Sequence, residues 1–277
     1  MRWNRGGVAI AGLVLAVVMG AAPVAQAEIP LKGRLEQGGV VMGQAPIGAT
    51  LRLDGRAVPV DDQGHFLLGF GRDAAAQAEL TITLAGGVPE RQKLAVAKRA
   101  WRVQRVNGLP PDKVTPDPAQ LARIKAEADL VAERRSHVTA RALYLTGLVV
   151  PADGPISGVF GSQRILNGEA RSPHLGTDFA APAGAPVKSA AAGVVVLAHP
   201  DLFLTGRTVM IDHGLGLTTV YAHMSRLDVA DGDAVAAGQV IGAVGATGRA
   251  TGPHLHFGVS WLDVRLDPET VLAVLGK

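Results

Sequence analysis

From about residue 146 onward the chain is a succession of short Val- and Gly-rich runs, Gly193 to Ala198, Thr208 to Asp212, Thr218 to Ala222, Val240 to Val244 and His254 to Val259. They are separated by Asp231-Gly232 and the turn-rich stretch Gly245 to Gly252. Runs this short, bounded by glycine, form strands rather than helices. The C-terminal half, residues 146–277, is therefore expected to be a compact, mostly β domain. Residues 28–105 alternate apolar and polar positions in runs such as Thr50 to Leu53, His65 to Leu68, Leu80 to Leu84 and Leu94 to Val96, with turn signals at Asp54-Gly55 and Gln63-Gly64. That pattern reads as a small antiparallel β-sandwich.

Between the two β regions, residues 106–145 form a linker marked by Pro110-Pro111 and Pro116-Asp117-Pro118. Asp117, Pro118 and Gln120 make a helix start, a capping side chain followed by a proline that is pre-set for the first turn. Leu121, Ile124, Ala128 and Val131 recur at helical spacing, so a charged amphipathic helix is expected from about 118 to 137. His137 would be a favourable cation at its C-terminal end. The sandwich and this helix are candidates for positioning the C-terminal domain or covering its groove.

The first 27 residues read as a secretory signal, with Arg2 and Arg5, an apolar stretch from Val8 to Met19, and the small-residue site Ala25-Gln26-Ala27. The stretch falls short of the ~20 residues a membrane span needs, and no other segment is apolar enough. The chain contains no cysteine, so a disulfide framework, an N-terminal lipidated Cys and a Cys nucleophile are all excluded. Removing Arg2 and Arg5 from the 27 basic residues leaves 25 against 24 acidic ones, which argues against a nucleic-acid partner. Neither Ser-x-x-Lys nor Gly-x-Ser-x-Gly is present to support a serine acyl enzyme.

Chemistry concentrates in three motifs: His174-Leu-Gly-Thr-Asp178, Tyr221-Ala-His223 and His254-Leu-His256. Strand alternation sends His254 and His256 to one face and Leu255 and Phe257 to the other, and by the same rule Tyr221 and His223 share a face. His174 and Asp178 flank Gly176 in a turn that can aim both at one ion. Imidazole and carboxylate are zinc donors, and three protein ligands with an open fourth position suit a catalytic ion. Tyr221 is either a hydrogen-bond donor at the rim or a packed strand aromatic. His65, His199 and His213 read as turn, loop or strand-end residues, and Arg164 and Asn167 are weaker candidates for lining a groove.

In this order, with Ile211-Asp-His-Gly214, Gly232-Asp, Gly238-Gln and Gly245-Ala-Thr-Gly-Arg-Ala-Thr-Gly-Pro-His-Leu-His256, the chain resembles the lysostaphin-type, LytM-like zinc endopeptidases of bacterial peptidoglycan. The resemblance covers about residues 146 to 270. It implies a lysostaphin-type antiparallel β peptidase domain with one Zn2+ held by His174, Asp178 and His256, and with His223 and His254 unligated beside it as catalytic residues. His223 and His254 then share proton transfer and oxyanion stabilisation, because no His-Glu-x-x-His carboxylate is present. Gly258 stands where many relatives carry Glu, a position outside the implied ligand set. The resemblance also admits a non-catalytic regulator or wall-binding module, since some members have lost ligands and act on partner hydrolases; here the ligand set is complete. Peptidoglycan is the expected partner, with cell-wall hydrolases or division machinery as further ones. The signal, without a wall-sorting tail, points to the periplasm.

Overall fold

The computed structural model describes Met1 and residues 28–106, 117–166 and 168–277. The proposed signal, most of the proline-rich part of the linker and Asn167 lie outside the described residues. The N-terminal region forms two small antiparallel sheets. One has the order Leu31–Gly33, Val40–Gln44, His65–Gly69, and the other Arg56–Val58, Thr50–Leu53, Gln77–Thr83, Glu90–Ala95. Asp54 and Gly55 carry the turn between the pairing strands Thr50–Leu53 and Arg56–Val58 with φ of 48° and 80°, the left-handed pair a two-residue hairpin requires. Leu51 and Leu53 are buried in alternation along their strand, whereas Val40 and Val41, and Phe66, Leu67 and Leu68, are buried in succession.

The strand Val103–Val106 leaves this unit. It pairs in parallel with Gln163–Leu166 of the C-terminal half. Arg164 sits in that pairing strand, opposite Gln104.

The helix Pro118–Arg135 opens as its sequence demands: Asp117 accepts from Gln120 N while the Gln120 side chain accepts from Asp117 N. It is two residues shorter than the spacing suggests, because Ser136 takes the cap and bonds back to Glu133 O. Arg134 and Arg135, rather than His137, are the cations in its last turn. Leu130 and Val131 pack on Val196, Leu197, Leu202, Met210 and Val220. Val220 pairs with Gly258, two residues along the strand from His256, so the helix lies on the His256 side of the central sheet. No described helix is long and apolar enough to cross a membrane.

The C-terminal half is built on an eight-stranded sheet. Its path runs Ala234–Val235, Gly193–Leu202, Gly206–Asp212, Leu217–Met224, Leu255–Trp261, Thr177–Phe179, Ile156–Gly158, with Val264–Leu266 paired to Leu255–Trp261. A three-stranded sheet, Pro186–Lys188, Val240–Ala243 and Arg226–Leu227, stands beside it. A short C-terminal helix, Pro268–Leu275, which the periodicity did not suggest, starts at the cap Asp267 with proline in its first turn. One continuous apolar core joins both halves, Phe66 and Leu68 contributing from one side and Phe257, Trp261 and Leu266 from the other.

Candidate metal centre

Thr177–Phe179 and Leu255–Trp261 are adjacent antiparallel strands, and Asp178 lies directly opposite His256. The register alone brings the carboxylate to the imidazole. His174 reaches the same point from the preceding turn, which must pass close over the sheet. A Cβ on Gly176 would stand 2.6 Å from His256 Cε1 and 2.6 Å from Phe257 O, so only glycine permits that passage.

Three donor atoms converge. His174 Nε2 lies 3.0 Å from Asp178 Oδ1 and 3.0 Å from His256 Nδ1, and His256 Nδ1 lies 2.8 Å from Asp178 Oδ1. His174 Nδ1 faces Val159 O at 3.1 Å. A carbonyl only accepts, so the neutral ring carries its proton there and presents a bare lone pair at Nε2. Asp178 Oδ1 is likewise an acceptor. At most one proton, on His256 Nδ1, would serve the whole triangle, whereas a cation satisfies all three atoms. Zinc bonds of ~2.0–2.2 Å to nitrogen and oxygen span ligand atoms this close, and the set of two imidazoles and one carboxylate fits a zinc ion.

Burial works against the charge on Asp178, but the hydrogen bonds and nearby rings of His174 and His256 outweigh it and hold the carboxyl well below the usual carboxylate range. Burial lowers His256, and its hydrogen bond to Asp178 offsets this only in part. Both shifts favour the forms a metal needs, an ionised carboxylate and a neutral imidazole.

His223 and His254 stand beside the triangle. Their rings are 4.8 Å apart, and the His223 ring is 6.0 Å from that of His256. His223 Nδ1 is turned to Thr247 O at 2.8 Å and His254 Nδ1 to Gly252 O at 2.9 Å. Each backbone carbonyl holds a proton on Nδ1 and leaves Nε2 as the basic nitrogen. His254 Nε2 is 3.9 Å from Asp178 Oδ1. Burial pushes His223 down to about 4, only partly offset by its bond to Thr247, so this imidazole is neutral at pH 7.

Strand alternation fails at one of these motifs. Tyr221 and His223 do not share a face, because His223 takes φ of +64°, next to the register shift in the pairing of Gly206–Asp212 with Leu217–Met224. The twist delivers His223 to the other histidines and leaves Tyr221 in the core. Tyr221 is fully buried, its ring 5.4 Å from that of Phe257. Its hydroxyl accepts from Ala190 N at 2.7 Å and meets Thr219 Oγ1 at 3.0 Å. It is a packed strand aromatic, not a rim donor.

His213 is more than a strand-end histidine: fully buried, it bridges Ala192 O at 2.8 Å and Thr219 Oγ1 at 2.7 Å. His65 bonds Asp61 in its turn and His199 accepts from Asp201 N, both local contacts. Sequence reasoning missed the carbonyls of Val159, Thr247 and Gly252, which set the tautomers of three site histidines. Main-chain acceptors leave no residue-type signal.

The profile of Peptidase family M23 matches residues 172–268. A segment of 84 residues is 49% identical to the DD-carboxypeptidase/endopeptidase Mpg of Neisseria meningitidis, covering 30% of this chain and 19% of that protein. One of 88 residues is 49% identical to the peptidoglycan DD-endopeptidase ShyA of Vibrio cholerae, covering 31% and 20%. The chain thus spans about a fifth of the length of these curated relatives. A crystal structure of an M23 family protein from Pseudomonas aeruginosa superposes with a TM-score of 0.67 at 30% identity, over 87% of this chain and 96% of that one. A relative 30% identical and covered over 96% of its length shows the family, and the chain belongs to peptidase family M23.

Proposed function

We propose that this chain is a zinc-dependent endopeptidase that hydrolyses peptide cross-links of bacterial peptidoglycan, exported by the segment 1–27 and acting in the periplasm. The observation that carries the reading is the convergence of three lone-pair donors, His174 Nε2, Asp178 Oδ1 and His256 Nδ1, with two further imidazoles poised next to them. The identity of a segment of this chain to proteins named peptidoglycan DD-endopeptidases supports the substrate class.

His174, Asp178 and His256 are the ligands in this reading. A bound zinc supplies Lewis acidity, which draws the pKa of a water towards ~7 and polarises the scissile carbonyl. His223, kept neutral by burial and with its Nδ1 proton engaged by Thr247, accepts a proton at Nε2 as the water oxygen bonds to the carbonyl carbon. That proton then passes to the leaving amine nitrogen as the C–N bond breaks. His254, oriented by the contact of its Nδ1 with Gly252 O, is the second imidazole beside the triangle and assists at the oxyanion.

Digestion of purified, directly cross-linked peptidoglycan by the zinc-loaded protein, with His256→Ala as control, tests this by chromatography of the released muropeptides. The expected result is loss of cross-linked dimers and gain of monomers with the wild type alone. If dimers persist with the zinc-loaded full chain, the enzymatic reading fails in favour of a non-catalytic regulator.

A further inference from the structure

His174 is held by the short segment 159–162. Its Nδ1 faces Val159 O at 3.1 Å, its amide donates to Ser162 O at 2.9 Å, and its carbonyl accepts from Gly161 N at 2.8 Å. The segment is in turn held from the N-terminal region, by residues that no sequence pattern singled out. Arg72 Nε donates to Gly161 O at 2.8 Å. The Trp101 ring lies directly on Gly161, where a Cβ would stand 2.1 Å from Cε3, and packs edge-on against Phe160 at 5.7 Å. Gly161 also has φ of +78°, so its conformation and its lack of a side chain are both matched to the indole above it.

Trp101 is itself fixed. The Arg99 guanidinium lies 4.6 Å from its ring centre and that of Arg72 5.4 Å, both within cation–π range. Arg99 is anchored by Asp267 at 2.8 Å and by Gln37 O at 3.2 Å. Immediately after Trp101, Arg102 O accepts from Gln163 N at 2.8 Å, and the parallel pairing of Val103–Val106 with Gln163–Leu166 begins. Contacts therefore run without a break from the sandwich through Trp101 and Arg72 to the 159–162 segment and on to the imidazole.

We propose that Trp101 and Arg72 are positioning residues for His174: they fix the segment 159–162 so that Val159 O holds the Nδ1 proton and Nε2 stays a lone pair aimed at the metal. The proposal rests on His174 being a metal ligand. It assigns the N-terminal sandwich a constructive role, completing the metal site across the interface between the two halves. Hydrogen-bond partners of ligating histidines are worth about 10–100-fold in metal affinity. Trp101 acts one contact further out, which places its effect at the lower end of that range.

The test measures zinc dissociation constants by chelator competition for the wild type, Trp101→Ala, Trp101→Phe, Arg72→Met and His256→Ala, with thermal unfolding of each metal-free protein alongside. Trp101→Ala is expected to weaken zinc binding about tenfold. Trp101→Phe, which keeps an aromatic plate on Gly161, should recover most of that loss, and Arg72→Met should show a smaller loss in the same direction. A purely structural role predicts lowered unfolding temperatures with unchanged zinc affinity in Trp101→Ala and Arg72→Met, and that result overturns the proposal. Should Trp101→Ala fail to fold, Arg72→Met decides, since its side chain is still 16% exposed and burdens the fold less. If His256→Ala retains wild-type affinity, the metal assignment itself is what has failed.

Discussion

The strands Leu217–Met224 and Leu255–Trp261 carry polar chemistry on both faces, and the two faces treat it in opposite ways. On the core face, Ala192 O, His213, Thr219, Tyr221 and Ala190 N form a chain in which every acceptor has a donor. On the other face, His174 Nε2, Asp178 Oδ1 and His256 Nδ1 crowd together with too few protons to go round. His213 is fully buried and His174 and His256 are partly buried, so both groups are largely shielded from water and burial alone is no sign of function. What separates them is satisfaction: a closed hydrogen-bond chain holds a fold together, and an excess of lone pairs calls for a cation.

The sharpest test of that contrast is His256→Ala, which should abolish both stoichiometric zinc and hydrolysis, with metal content read by atomic emission and activity by muropeptide analysis. Zinc retained at full stoichiometry would erase the distinction between the faces. His223→Ala comes next. It should keep zinc and lower kcat by about 10²–10⁴-fold, the span of general acid–base assistance; loss of zinc would move His223 into the ligand set.

On the core face the effects should be on stability alone. Burial holds His213 at about 4, below the ~6.5 of an unfolded imidazole. The unfolded chain therefore binds the extra proton between those values, and the stabilisation is complete above pH 6.5 and lost as pH falls towards 4. The loss from this group is on the order of 3 kcal/mol, and denaturant titrations across that window should show a fall in stability that is smaller by about that amount in His213→Gln, the remainder coming from His223 and His256, which burial also lowers. Smallest is Tyr221→Phe, which removes the acceptor for Ala190 N and should cost about 1–3 kcal/mol with zinc affinity unchanged. A change in zinc affinity there would show that the two faces are coupled.

Much of the site was legible because its residues are bound to local rules. The alternation that buries Leu255 and Phe257 brings His254 and His256 out together, and Asp117-Pro-Ala-Gln120 spells a helix start in four residues. Where a local rule was broken, the reading went wrong: a single left-handed residue at His223 cancels the shared face with Tyr221.

By itself the sequence determined where imidazole and carboxylate side chains are available, and the short glycine-bounded runs that make a β protein, because residue type and local periodicity are written in the chain. Only the tertiary structure decided the tautomers of His174, His223 and His254, the closed relay around His213, and the contact of Trp101 and Arg72 with the segment behind His174. Those depend on main-chain carbonyls and on surfaces brought together across as many as 89 residues of sequence, and backbone atoms are the same at every position of the chain.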